Sequence, residues 1–264
     1  MSSGWLKLAV AVVIAAVLSA CVTTETGGFE DKKDPKKAVE YLVQAARGYI
    51  QQGTWEAAKR HLKSALDIDS QNPDANEALA LVFWRTGEFE QADKYFREAV
   101  SDASGSDVSR IRNNYAAYLY DRQRYGDAEG QLEKVAEDLL YDKRPEAFLN
   151  LGMVRVKLKK YAQAKDVLER AALMDRNNPL VMFQLAEVYY QLEQYTKAQN
   201  YYDAFRQRVQ TPSAASLWLG IRLADRAGDK DSAASYALAL KNLFPQSEEY
   251  LAYKSVYGNA GTEH

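Results

Sequence analysis

The chain has 264 residues, 27% of them charged, and a formal net charge of −2. Its length suits one large domain or two small ones. So even a balance excludes an electrostatic nucleic-acid binder, which needs a basic stripe to displace counterions, and the lone cysteine, Cys21, excludes an intrachain disulfide.

Residues 1–20 read as a lipoprotein signal peptide. Lys7 is the only side-chain positive charge before an unbroken apolar run of eleven residues, Leu8 to Leu18. At ~1.5 Å per residue the run is too short to span a ~30 Å hydrocarbon core, and it fits the apolar region of a secretory signal. It ends in Leu18-Ser19-Ala20-Cys21, which resembles the bacterial lipobox. The resemblance implies cleavage before Cys21 and a lipid on its thiol. Three acyl chains would hold the protein, since each buried CH₂ contributes ~0.8 kcal/mol and stable anchoring needs about two chains. Val22 stands where inner-membrane lipoproteins typically carry Asp, so the expected location is the outer membrane, facing the periplasm.

Residues 21–37 are expected to be the lipidated cysteine and a flexible linker. Gly27, Gly28, Pro35 and the run Asp31-Lys32-Lys33-Asp34 leave little apolar content. The sixteen residues Val22 to Lys37 reach at most ~50 Å extended and nearer ~20–24 Å as a coil.

From residue 38 to 257 only helices are expected, because no strand-like alternation appears. A column of alanines recurs at Ala58, Ala92, Ala128, Ala164, Ala198 and Ala233, with spacings of 34, 36, 36, 34 and 35. Three residues before each lies an aromatic column, Trp55, Phe89, Tyr125, Tyr161 and Tyr195, broken by Lys230. Twelve residues before the first five alanines stand Ala46, Ala80, Ala116, Gly152 and Ala186; in the sixth repeat Gly220 stands thirteen before. Small residues let two antiparallel helices cross closely, and the large residues beside them fill the gap. This pattern resembles the tetratricopeptide (TPR) repeat. It implies an all-α, right-handed superhelical solenoid of six helix-turn-helix repeats. Gly53, Gly87 and Gly228 mark turns, and Pro73 and Pro179 open helices. A capping helix is predicted over residues 246–257, with Ser247 as N-cap and Tyr250, Leu251 and Tyr253 covering the last repeat. Residues 258–264 are expected to form a disordered tail.

The two histidines, His61 and His264, have no partner at ligand spacing, and no HExxH or phosphate-binding glycine loop occurs. The expectation is therefore no enzyme, no metal, no cofactor beyond the covalent lipid, and no small-molecule substrate. Most of the eighteen tyrosines fall in repeat columns, so packing explains them better than base stacking.

The concave face is expected to carry binding. In the repeat register its main groove comprises Val43, Arg47, Ile50, Leu81, Trp84, Arg85 and Tyr120, with Trp84 the main anchor. Glu77, Arg110, Asn113 and Val156 share the face. A secondary groove comprises Leu149, Met153, Phe183 and Tyr190. Such residues suit an apolar strand or amphipathic helix. The Lys/Asn/Arg carboxylate clamp of chaperone-tail binders is absent, since Val43, Arg47, Glu77 and Leu81 take its positions.

Longer strings go beyond the repeat consensus: Asn113-Asn114-Tyr115, Leu149-Asn150-Leu151-Gly152, Tyr201-Tyr202-Asp203, Leu217 to Ala224, and Leu243-Phe244-Pro245. They resemble the type IV pilus biogenesis/stability lipoproteins, the PilF/PilW-type pilotins. The resemblance implies a protein that binds the type IV pilus secretin and promotes its outer-membrane localisation and multimerisation, so supporting twitching motility. Two other readings stay open: a TPR lipoprotein of the outer-membrane barrel assembly machinery, and a scaffold docking cell-wall hydrolases or proteases.

Overall fold

A computed structural model describes residues 34–105 and 107–258. Cys21, the signal segment, the linker up to residue 33 and the tail from residue 259 lie outside the described residues. The described chain is an all-α TPR solenoid of six helix pairs and one further helix. The pairs are α1 (Pro35–Gln51) with α2 (Trp55–Ile68), α3 (Pro73–Thr86) with α4 (Phe89–Asp102), and α5 (Asp107–Asp121) with α6 (Tyr125–Glu137). Then come α7 (Arg144–Lys157) with α8 (Tyr161–Met174), α9 (Pro179–Gln191) with α10 (Tyr195–Arg206), and α11 (Ala214–Ala227) with α12 (Lys230–Leu243), followed by α13 (Glu248–Tyr257).

The first helix starts at Pro35, so residues 35–37, expected in the linker, are helical. Asp34 accepts hydrogen bonds from the backbone N–H groups of Lys36 and Lys37 at 3.1 and 3.4 Å, and Pro35 supplies a pre-set φ at the first helical position. Asn72-Pro73 and Asn178-Pro179 use the same device at α3 and α9. Ser213 and Ser216 close a reciprocal capping box on α11.

The alanine column is fully buried in the first five repeats. Ala233 is only partly buried, because no seventh repeat covers it. The crossing column explains its own small residues. A Cβ on Gly152 would lie 2.5 Å from the Leu168 side chain, and one on Gly220 would lie 2.3 Å from the Tyr202 hydroxyl. Such overpacking costs about 1–3 kcal/mol. Each intra-repeat turn holds one residue in the left-handed region. Gly53, Gly87 and Gly228 do so at no steric cost, while Gln123, Lys159 and Glu193 take φ of 58–59° without a glycine.

The capping helix α13 packs a stripe of Tyr250, Tyr253 and Tyr257 against the last repeat. Trp218 meets Tyr253 and Tyr257 edge-on at ring distances of 6.5 and 6.4 Å. Leu251, expected in this contact, points outward at 53% exposure. It lies off the helical face that residues 250, 253 and 257 share.

The concave groove as candidate functional site

The first helices of the repeats (α1, α3, α5, α7, α9 and α11) carry the expected groove residues, but the columns do not behave alike. The column three residues before the small residue is an interface column. Val43, Glu77, Asn113 and Leu149 are 6, 2, 4 and 6% exposed. Val43 and Leu149 are therefore core residues, contrary to the expectation that they line the groove. Val43 packs with Val39, Ala46 and Leu62, and Leu149 belongs to the central cluster. Phe183, in the fifth repeat, stays partly open at this position.

The concave side of the first three repeats is occupied by the chain's own charges. Arg47 donates to Asp74 at 2.7 Å and to Glu77 at 3.5 Å. Arg110 reaches both Glu77 and Asp74, and Asn114 donates to Glu77 at 2.7 Å. Burial opposes the Arg110 charge, but Glu77 and Asp74 outweigh it and hold its pKa above the ordinary guanidinium range. Asn150 donates to Asn113 at 3.1 Å and carries the ladder into the fourth repeat. A buried carboxylate such as Glu77 persists only with partners like these.

Trp84 and Leu81 are partly buried against the central core, and Ile50 against the N-terminal one. The Trp84 ring stands edge-on to Tyr118 at 5.8 Å and lies under the Arg85 guanidinium at 5.3 Å. Arg85 itself is exposed.

The open groove starts at the end of α5 in the third repeat and continues into the second half of the solenoid. Tyr120, Met153, Val156, Phe183 and Trp218 form its apolar floor, a recess of about 340 Å³ that Lys157, Glu187, Arg222 and Glu249 flank. Tyr120 and Met153 also line a smaller apolar cavity of about 120 Å³ with Ala116, Leu132 and Val154. Burial, and after it the neighbouring Tyr125, pushes the Tyr120 hydroxyl pKa up. Arg222 sits between two ring faces, 4.6 Å from Tyr190 and 5.5 Å from Trp218, and donates to Glu187 at 2.6 Å. Tyr190 thus buttresses Arg222 and is not among the residues lining the recess. An apolar floor with a charged rim takes an apolar or amphipathic peptide segment.

Sequence reasoning missed Trp218 and Arg222 as groove residues. Counting twelve residues back from Ala233, as in the other repeats, lands on Ile221 and puts Trp218 and Arg222 in the columns of Phe183 and Glu187. Anchoring the sixth repeat on Gly220 hid them. His61 stacks on Tyr49 at 5.3 Å. Among the described residues no group of three or more His, Cys, Asp or Glu is placed to hold a metal ion.

Comparison with known proteins places this geometry. Models described as TPR repeat or tetratricopeptide repeat match residues 46–87, 78–145 and 155–217. The type IV pilus assembly protein PilF of Pseudomonas aeruginosa is 39% identical over 250 residues, covering 94% of this chain and 98% of the relative. A solved structure of Pseudomonas aeruginosa PilF superposes with a TM-score of 0.74 at 40% identity, over 84% of this chain and 98% of that one. The crystal structure of PilW, described as a widely conserved type IV pilus biogenesis factor, gives 0.70 at 26% identity, over 81% and 97%.

Proposed function

The chain belongs to the type IV pilus biogenesis family of PilF and PilW, and on that premise we propose that it is a lipid-anchored outer-membrane protein that seats a segment of the pilus secretin in its concave groove and so promotes secretin multimerisation. The observation that carries the choice of site is the open apolar floor from Tyr120 through Met153 and Phe183 to Trp218. Over the first three repeats the chain's own ion pairs fill the same face. The lipobox ending in Cys21 supports the anchor. A tethered groove raises the effective concentration of its client at the membrane to about the mM range. The protein contributes binding and position, and no chemistry of its own.

The test is a deletion strain complemented with wild type or with Cys21→Ser. The deletion is expected to lose most heat-resistant secretin multimers and to twitch weakly. Wild type restores both. Cys21→Ser accumulates without acyl label and leaves multimers depleted in the outer membrane. Normal multimers in the deletion strain would overturn the reading and favour a scaffold for hydrolases or for barrel assembly.

A further inference from the structure

The two edges of the solenoid differ in chemistry. Helices joined by turns of a few residues run antiparallel, so every first helix starts, and every second helix ends, on one edge. Turns between repeats lie there, and turns within repeats lie on the opposite edge. Large apolar residues are exposed on the inter-repeat edge: Leu139 at 75%, Leu140 at 89%, Leu173 at 71%, Met174 at 47% and Leu180 at 43%. Ile68 and Leu243, at other turns of that edge, are 47 and 57% exposed. Among the described residues, none of the exposed large apolar side chains lies in an intra-repeat turn. Leu158 and Leu192, which do lie there, pack onto the central core.

The exposure of Leu139 and Leu140 is built in. Asp138 accepts from the Ser109 hydroxyl at 2.5 Å and from the Leu140 N–H at 3.0 Å. The backbone N–H groups of Tyr141 and Arg144 then donate to the carbonyls of Asp138 and Tyr141. The turn is thus pinned with both leucines outward and Tyr141 partly buried between α6 and α7. Lys143 and Arg176, both exposed, follow the two leucine clusters. Asp142 and Asp175 share these turns, so the patch has no strong charge of either sign. Behind Leu173, Ala172, Val181, Met182 and Tyr201 continue the apolar surface into a recess of about 470 Å³.

The chain outside the structure ends on this same edge. Asp34 caps the start of α1, and Cys21 lies thirteen residues upstream, a leash of at most ~45 Å. We propose that the inter-repeat edge is a lipid-facing surface: the leucines and Met174 rest in the headgroup boundary of the membrane that holds the anchor. Exposed apolar side chains can insert at the headgroup boundary while Lys143 and Arg176 extend to its polar side, and with Asp142 and Asp175 balancing these charges the driving force is apolar burial. The concave groove then opens parallel to the membrane, and the intra-repeat edge faces away. This inference rests on the lipid anchor proposed above.

The test uses the full-length lipidated chain on vesicles of phosphatidylethanolamine and phosphatidylglycerol. Because Cys21 is acylated, Leu140→Cys, Leu173→Cys, Gln52→Cys or Gln194→Cys gives a single free thiol for a fluorescent label. Flotation is read first, then quenching by a lipid with its quencher near the headgroup. The expected result is flotation of all four proteins, with labels at 140 and 173 losing about half their emission or more and those at 52 and 194 losing little. Flotation with equal quenching at all four sites, or with none, overturns the lipid-facing edge and leaves the anchor standing. Failure to float overturns both. Labels at 140 and 173 shielded from aqueous iodide without lipid quenching, in a protein that sediments as a dimer, would overturn the membrane as occupant in favour of a second copy.

Discussion

The indole Nε1 of Trp84, at the end of α3, donates to Asp121 Oδ2, at the end of α5, over 2.9 Å. This bond spans 37 residues of sequence and ties the second repeat to the third. Trp84 is thereby an inter-repeat strut as well as a groove-side aromatic. Trp84→Ala is expected to destabilise by about 2–3 kcal/mol, less than the ~3–5 kcal/mol of a fully buried aromatic. Trp84→Phe, which keeps most of the ring but not the bond, should cost about 1 kcal/mol. Urea titrations of both variants check this, and a Trp84→Phe variant as stable as wild type would mean the hydrogen bond contributes nothing.

If the client sits on the second-half floor, Phe183→Ala should weaken its binding about tenfold or more, the effect of a central aromatic contact. Trp84→Ala should weaken it less than threefold or so, after correction for unfolded protein. Titration of each variant with purified secretin segments gives the comparison. A stronger effect of Trp84→Ala would move the seat to the surface around Leu81 and Trp84.

Lys159 sits at φ 58° in the turn between α7 and α8, where Gly87 and Gly228 serve in other repeats. Lys159→Gly should raise stability by about 0.5–1 kcal/mol, because the relief of left-handed strain exceeds the added entropy of the unfolded chain. The melting temperature is then expected to rise by about 1–4 °C. Gly87→Ala, at φ 82°, should shift it the other way by a similar amount.

Glu129 on α6 accepts from Arg155 at 3.1 Å and Lys160 at 2.6 Å, and its side chain is 10% exposed. Burial pushes its pKa up, but the hydrogen bonds and charges of Lys160 and Arg155 prevail and hold it below the ordinary carboxylate range. A depressed folded pKa means the contribution is fully present above the unfolded value near ~4.3 and is lost as pH falls through the folded value. Glu129→Gln is expected to cost about 1–3 kcal/mol between pH 5 and 7. Measured by urea midpoints, the gap to wild type should shrink below about pH 4; a gap independent of pH would refute the ion pairing.

What is legible in the chain by itself is whatever repeats. Alanine, aromatic and small-residue columns at 34–36-residue spacing determine the helix pairs, because close crossing of two helices is a requirement on residue size alone. The Asp34-Pro35 start was equally open to reading, since Asn72-Pro73 and Asn178-Pro179 announce the same cap. The groove is a different matter. Leu149 and Met153 sit four residues apart on α7, yet one is core and the other lines the recess. Leu149 and Phe183 share a column, yet only Phe183 stays open. Which fate each meets depends on the neighbouring helices that cover it, and on partners 27–37 residues away such as Asp74 for Arg47 and Asp121 for Trp84. Side-chain size fixes a crossing locally, whereas exposure and ion pairing are properties of several helices at once, so only the stacked solenoid decides where the open apolar floor lies.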